Sequence, residues 1–214
     1  MAEAKKKICI VGAGGSAKDV LCIVADSIAG TNVKLKDAAC FMVDDAYYNE
    51  TSINGIDVIS QSDFEPSKYD VVVAIGDPHV RKDKVSRMPA ETTYTSVIHP
   101  SVIISQWVEI GEGAIIAAGT ILTCNIKIGK HVHLNLNSTI THDCEMGDFF
   151  TTAPGVNISG NCKFGNCVNM GTNAATRQRI EICDDVTIGM GGVVVKNIDE
   201  PGVYVGNPVR KLDK

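Results

Sequence analysis

Residues 98–194 read IHPSVI ISQWVE IGEGAI IAAGTI LTCNIK IGKHVH LNLNST ITHDCE MGDFFT TAPGVN ISGNCK FGNCVN MGTNAA TRQRIE ICDDVT IGMGGV V, a run of six-residue units with no insertion or deletion. The first position, from Ile98 and Ile104 through Leu134 and Met146 to Ile188 and Val194, is apolar everywhere except Thr152 and Thr176. The fifth is mostly small or β-branched, as at Val102, Ala114, Thr120, Ile126, Ser138, Cys144, Val156 and Cys162. The second is glycine at Gly111, Gly129, Gly147, Gly165, Gly171 and Gly189. One such strand-and-bend unit cannot bury its apolar face alone, so stacked coils must supply the core. The first and fifth positions then point inward from neighbouring flat faces. Three units per turn predict a triangular parallel β-helix of roughly five to six coils. Its interior is filled by side chains, so any chemistry must sit outside, at corners or between subunits.

The composition agrees with a narrow, repetitive interior. Aromatic residues make up only 5% of the 214, which leaves the core to Ile, Val, Leu and small residues. The net charge of −5 argues against nucleic acid as a partner. The start, MAEAKKKICIVGAGG, lacks the apolar length and cleavage pattern of a signal peptide, and no run approaches a membrane span. A cytoplasmic protein is expected. The eight cysteines form no CxxC pair and lie scattered in apolar patterns, so they read as reduced core fillers, with neither disulfides nor a metal site expected.

The first half, residues 1–97, reads as a small Rossmann-like α/β domain, and residues 98–214 as the β-helix with a C-terminal tail. A strand over 6–11 meets Gly12-Ala13-Gly14-Gly15, and the apolar spacing from Val20 to Ile28 predicts a helix over 16–29. Strands follow at 39–43, ending in Asp44-Asp45, and at 69–75, ending in Gly76-Asp77-Pro78; a helix over 79–88 and a strand over 94–98 complete a β-α-β-β-α-β order. Free amides and the helix dipole make the strand–glycine–helix turn an anion site. Gly12, Gly14 and Ala17 fit the dinucleotide pattern G-x-G-x-x-G/A, but the domain is short for a redox fold and Asp44 and Asp45 lie too far on for its ribose contact. A sugar nucleotide suits the turn better than NAD. The plainest alternative is glycine used only to close the turn.

Five histidines remain to be placed. His79 reads as a helix-start surface residue, His99 as turn packing, and His131 and His133 as solvated or at a subunit contact. His142 stands out, because Asp143 follows it directly and a histidine beside a carboxylate can serve as a general base. Adjacent strand residues face opposite ways, so Asp143 can orient His142 only where a corner of the prism brings them together. Cys144, at an inward fifth position, reads as a core filler.

Several motifs in order give the chain a resemblance: IVGAGG at 10–15, VDD at 43–45, VAIGD at 73–77, IHPS at 98–101, THDCEMGDF at 141–149 and GVYVGNP at 202–208. It resembles the bacterial sugar acetyltransferases of the sialic acid O-acetyltransferase-like group, which includes enzymes that N-acetylate nucleotide-linked 4-amino-dideoxy sugars. The resemblance implies a left-handed β-helix, the exception to the usual right-handed crossover, and a homotrimer with acetyl-CoA between subunits. It implies His142 as base, Asp143 as the carboxylate tuning it, and Gly160 as the oxyanion donor. It implies acetyl-CoA contacts at Thr151, Thr172 and Met190, and nucleotide-sugar contacts at Gly14, Gly15, Ser16, Asp44, Asp45 and Gly76. At Thr151 and Ser16 the family often carries histidine. The implied activity is N-acetylation of the amino sugar. The alternatives are O-acetylation of a sugar hydroxyl, such as that of a sialic acid, a non-catalytic β-helical scaffold, and an NAD-dependent enzyme.

Overall fold

A computed structural model describes residues 6–212. The outermost residues of the two expected segments, 1–5 and 213–214, lie outside the described residues.

The second half is a left-handed parallel β-helix whose coils repeat every three units. Partners across the ladder differ by eighteen residues, as in Ile115 with His133 and Ile121 with Thr139. Three parallel sheets form its faces. Face one carries Val97–Ile98, Ile115–Ile116, His133–Leu134, Thr151–Thr152, Asn169–Met170 and Val186–Ile188. Face two begins at Ile103–Ile104 and face three at Val108–Ile110. First- and fifth-position side chains from Ala114 to Val194 form one continuous core. Each fully buried Leu or Ile in it is worth about 1.5–3 kcal/mol. The two polar first positions are satisfied internally: Thr152 bonds Ser138 Oγ at 2.8 Å, and Thr176 lies 3.5 Å from Cys162 Sγ. In the first coil the inward first-position Ile104 stays exposed, because no coil lies beneath it, and Ile103 and Trp107 are exposed because they point outward.

The corners follow a rule that the repeat conceals. Every fourth position from Gly113 to Gly191 has a positive φ, between 54° and 73°. This left-handed conformation favours Gly, Asn and Asp, and ten of these fourteen corners carry one of them. The four departures are His131, Phe149, Cys167 and Arg179. Second-position glycines have a separate, steric cause. A Cβ on Gly111 would lie 2.5 Å from the Gly129 carbonyl oxygen in the next coil, so the coils stack too closely there for a side chain.

The first half is a six-stranded sheet in the order β3-β4-β2-β1-β5-β6, with β1 Lys7–Val11, β2 Ala39–Val43, β3 Ser52–Ile53, β4 Ile56–Ser60, β5 Tyr69–Val73 and β6 Thr93–Tyr94. Helices α1 (Gly15–Ser27), α2 (Leu35–Ala38) and α3 (Pro78–Ser86) complete it. The expected order lacked the β3–β4 hairpin. Its signal was present in the Asn54-Gly55 turn, where φ is 51° and 75°, followed by the alternation of buried Ile56, Val58 and Ser60. The strand expected over 94–98 splits: Tyr94 pairs with Val71 in the first sheet, whereas Val97 and Ile98 pair with Ile115 and Ile116 as the first strand of face one. The cysteine expectation also needs correction. Cys9, Cys40, Cys144, Cys162 and Cys167 are buried, but Cys22 is exposed on the outer stripe of α1. The hairpin Gly202–Gly206 and Val209–Lys211 extends face one beyond Val186–Ile188. Among the described residues no helix is long and apolar enough to cross a membrane.

Candidate functional site

The α/β domain docks on face one. One fully buried cation, Arg81 on α3, fastens the two parts. Its guanidinium donates to the Ile75, Gly76, His131 and Phe149 carbonyls at 2.6, 3.1, 3.0 and 2.8 Å, and to Thr151 Oγ1 at 2.7 Å. The Nη1 nitrogen that serves Ile75 and Gly76 also lies 3.3 Å from His133 Nδ1 and shares its hydrogens with it. His133 Nε2 lies 3.0 Å from the Val73 carbonyl and must donate to it, which fixes a neutral ring that accepts from Arg81. No carboxylate pairs with Arg81 among the described residues, and burial lowers its pKa to about 9.

His131 and His133 are therefore neither solvated nor left free for a subunit contact: both are buried at the domain junction. His131 meets Tyr94 edge-on at 4.6 Å and stacks on Phe149 at 5.3 Å. Two of the four departures from the corner rule thus pack the interface. Burial lowers the His131 pKa to about 4; Glu112 opposes the shift and Arg81 adds to it. Burial, and secondarily Arg81, holds His133 well below the usual histidine range. Both folded pKa values lie below the unfolded one, so their neutral forms give stability that is present above pH ~6.5 and lost as pH falls towards 4. Urea unfolding at pH 7, 6, 5 and 4 should show a decline that His131→Gln reduces, and an equal decline in both proteins would reject this source.

His79 sits, as expected, in the first turn of α3, and its backbone N–H donates to Asp77 Oδ1 at 2.9 Å. His99 packs the first turn against Ser101 at 2.8 Å and also reaches Asp26 of α1 at 2.9 Å.

At the edge between faces two and three, His142 Nδ1 lies 2.7 Å from Asp143 Oδ2. The corner makes this possible: Asp143 has φ 59°, which turns its side chain back toward its neighbour. Hydrogen bonds from Asn125, at 3.0 Å, and from His142 hold the Asp143 carboxyl below its ordinary pKa, so it stays charged and keeps the Nδ1 proton on His142. Nε2 is then the free acceptor. Gly160 stands eighteen residues on, directly over the ring: a Cβ there would lie 2.6 Å from His142 Cε1. The Gly160 carbonyl accepts from Arg179 N–H at 3.0 Å, while its own N–H donates to no acceptor among the described residues. Gly160→Ala should displace the imidazole and lower turnover at least about tenfold, with the melting temperature little changed because the edge is open beside the ring. An alanine variant with full turnover would show that the ring's seat is immaterial.

The other expected residues lie elsewhere on the chain. Thr172 and Met190 are exposed on the edge between faces one and two. Thr151 is buried on face one and held by Arg81. It lines a narrow cleft with Ser16, Asp19, Gly76, His133 and Asn135. Gly14 and Gly15 open α1, whose first amides have no intrahelical acceptor. A second cavity, of about 320 Å³, lies at the carboxyl ends of the strands, between Gly12, Ala13, Asp44, Tyr47, Lys84 and Arg87. Asp44 pairs there with the buried Lys84, whereas Asp45 accepts from Ser62 N–H at 3.0 Å. One chain thus joins His142, Asp143 and Gly160 at one edge, and Ser16, Gly76 and Thr151 at face one, but it does not bring the two groups together. Sequence reasoning missed Arg81 and Lys84, since a basic residue in a short helix reads as solvated.

A packed prism cannot enclose its reactants, so its chemistry must lie on an outer edge such as the one where Asp143 fixes the His142 imidazole. Fold and edge together define a β-helical acyltransferase carrying a nucleotide-binding type of α/β domain. Residues 7–88 match the PglD N-terminal domain family. The chain is 27% identical over 177 residues to GDP-perosamine N-acetyltransferase of Escherichia coli O157:H7, covering 80% of this chain and 78% of that one. WeeI from Acinetobacter baumannii AYE superposes with a TM-score of 0.88 at 34% identity, over 97% of this chain and 100% of that one. The acetyltransferase domain of PglB from Neisseria gonorrhoeae FA1090, in complex with acetyl coenzyme A, superposes at 0.87 with 28% identity, over 98% and 100%. The chain belongs to the bacterial sugar acetyltransferases of the hexapeptide-repeat superfamily.

Proposed function

We propose that the chain transfers the acetyl group of acetyl-CoA to the amino group of a nucleotide-linked 4-amino-dideoxy sugar, as a cytoplasmic enzyme. The observation that carries this reading is the oriented imidazole: Asp143 occupies Nδ1 of His142, and Nε2 is left as the base. The similarity to GDP-perosamine N-acetyltransferase supports the substrate class.

In this mechanism the sugar amine attacks the thioester carbonyl and passes a proton to His142 Nε2. The tetrahedral oxyanion accepts a hydrogen bond from Gly160 N–H. Collapse breaks the carbon–sulfur bond and releases CoA as its thiolate, which the imidazolium can protonate. No acyl-enzyme forms. Residues 1–97 hold the nucleotide sugar through Gly14, Gly15, Ser16, Asp44 and Gly76, with Asp45 bracing the loop. Residues 98–214 hold acetyl-CoA through Thr151, Thr172 and Met190. Thr172 and Met190 occupy a different edge of the prism from His142, which supports a homotrimer whose grooves combine the edge of one chain with that of the next.

Incubation of the protein with acetyl-CoA and GDP- or UDP-linked 4-amino-dideoxy sugars should release free thiol and add one acetyl group to nitrogen, and sedimentation should give three chains. Acetylation of a free sialic acid hydroxyl in preference to the amine, or the absence of any acetyl-CoA binding, would overturn the reading.

A further inference from the structure

On the edge between faces three and one, away from His142, three side chains of metal-binding type converge. Cys167 and Asp185 are fourth-position residues eighteen apart, so they occupy successive storeys of one corner column. His79 reaches them from the first turn of α3, where the Asp77 cap fixes its backbone. One donor atom from each of the three lies within 4.8 Å of the other two, and His79 Nδ1 stands 3.8 Å from Asp185 Oδ1. Ligands around a tetrahedral zinc ion are about 3.2–3.8 Å apart, given bonds of roughly 2.0–2.3 Å. Small side-chain rotations of His79 and Asp185, both more than half exposed, would close that difference. We propose that His79, Cys167 and Asp185 form a zinc site that rivets α3 to the edge of the β-helix.

A second observation also points to this corner. Cys167 adopts φ 56°, a conformation that strains a β-carbon residue and that Asn or Gly would take more readily. His131 and Phe149, below it in the same column, offset that strain by stacking at the domain junction. The Cys167 thiol is buried yet makes no hydrogen bond among the described residues, so its sulfur stands at this corner without a polar partner. One sulfur, one imidazole nitrogen and one carboxylate oxygen suit zinc, whereas calcium and magnesium require oxygen donors. Asp184, next in sequence to Asp185, adds negative charge, against which Lys82 and Arg81 act. Burial keeps the metal-free thiol protonated, and zinc would displace that proton. The ligand spacing was invisible in the sequence because the donors come from positions 79, 167 and 185 of two different domains.

The site is separate from the proposed acetyl transfer, and its test does not depend on activity. The full-length protein, stripped with a chelator, should bind one Zn²⁺ per chain and melt at a higher temperature. Co²⁺ in its place should give a thiolate-to-cobalt charge-transfer band in the near ultraviolet. Cys167→Ser should abolish that band, and His79→Ala, at an exposed position, should weaken Zn²⁺ binding by about a hundredfold while the metal-free fold persists. Binding unchanged in His79→Ala, a band that survives in Cys167→Ser, or no saturable Zn²⁺ binding would each overturn the proposal.

Discussion

His142→Ala should lower kcat by roughly two to four orders of magnitude, the span that general base catalysis supplies, while the fold and its melting temperature survive. The imidazole side chain is about half exposed and, among the described residues, hydrogen-bonds to Asp143, so the core loses nothing when it is removed. The fall should appear in kcat more than in KM, because the base acts on the proton in flight and does not hold the ground-state sugar. Asp143→Asn should cost less than His142→Ala: the amide can still touch Nδ1, but it no longer favours the correct tautomer or the imidazolium. Steady-state kinetics on the amino-sugar nucleotide separates the cases. Near-normal turnover in His142→Ala would remove the histidine from the chemistry and leave positioning as the whole of catalysis.

Legibility in the sequence followed the range of the interaction. The six-residue period is local and repeated, so it announced the prism, its inward positions and the corner that joins His142 to Asp143. The corner chemistry was also written there, in Gly, Asn and Asp at every fourth position, and its exceptions carried information. His131, Phe149 and Cys167 break the rule in one column, and that column faces α3. Three such exceptions in one column imply a covered edge. What no periodicity could show was which partner covers it. Arg81 stands in a short polar helix, and nothing nearby in sequence says that four carbonyls from two domains will surround its guanidinium. The two histidines at 131 and 133 were misplaced for the same reason: a prism read alone has water on all three sides.

The second large effect concerns that guanidinium. A buried charge without a counter-ion is costly, and the lowering of its pKa to about 9 registers that cost. Arg81→Met would remove the cost and add apolar surface of similar length. Against this gain stand the carbonyls of Ile75, Gly76 and His131, together with His133 Nδ1 and Thr151 Oγ1, which would lose the Arg81 donor, while the Phe149 carbonyl would keep only the Thr151 hydroxyl at 3.3 Å. Each buried acceptor left unpaired costs about 1–3 kcal/mol. The adjoining cleft can admit water to the Gly76 and Thr151 side, but the His131 and His133 side is sealed by both rings. The unpaired acceptors win, and the variant should lose about 3–5 kcal/mol of unfolding free energy, read from urea titration at pH 7.5. Arg81→Lys should lose a large part of it despite keeping the charge, since three donors on one nitrogen cannot reach partners spread around a planar fork. Because Arg81 grips both Gly76 and Thr151, surviving enzyme should also show a raised KM for the sugar nucleotide and for acetyl-CoA. An Arg81→Met protein as stable as the parent would mean that the two domains are held together by the apolar contact of α1 with face one, and that the guanidinium is a passenger there.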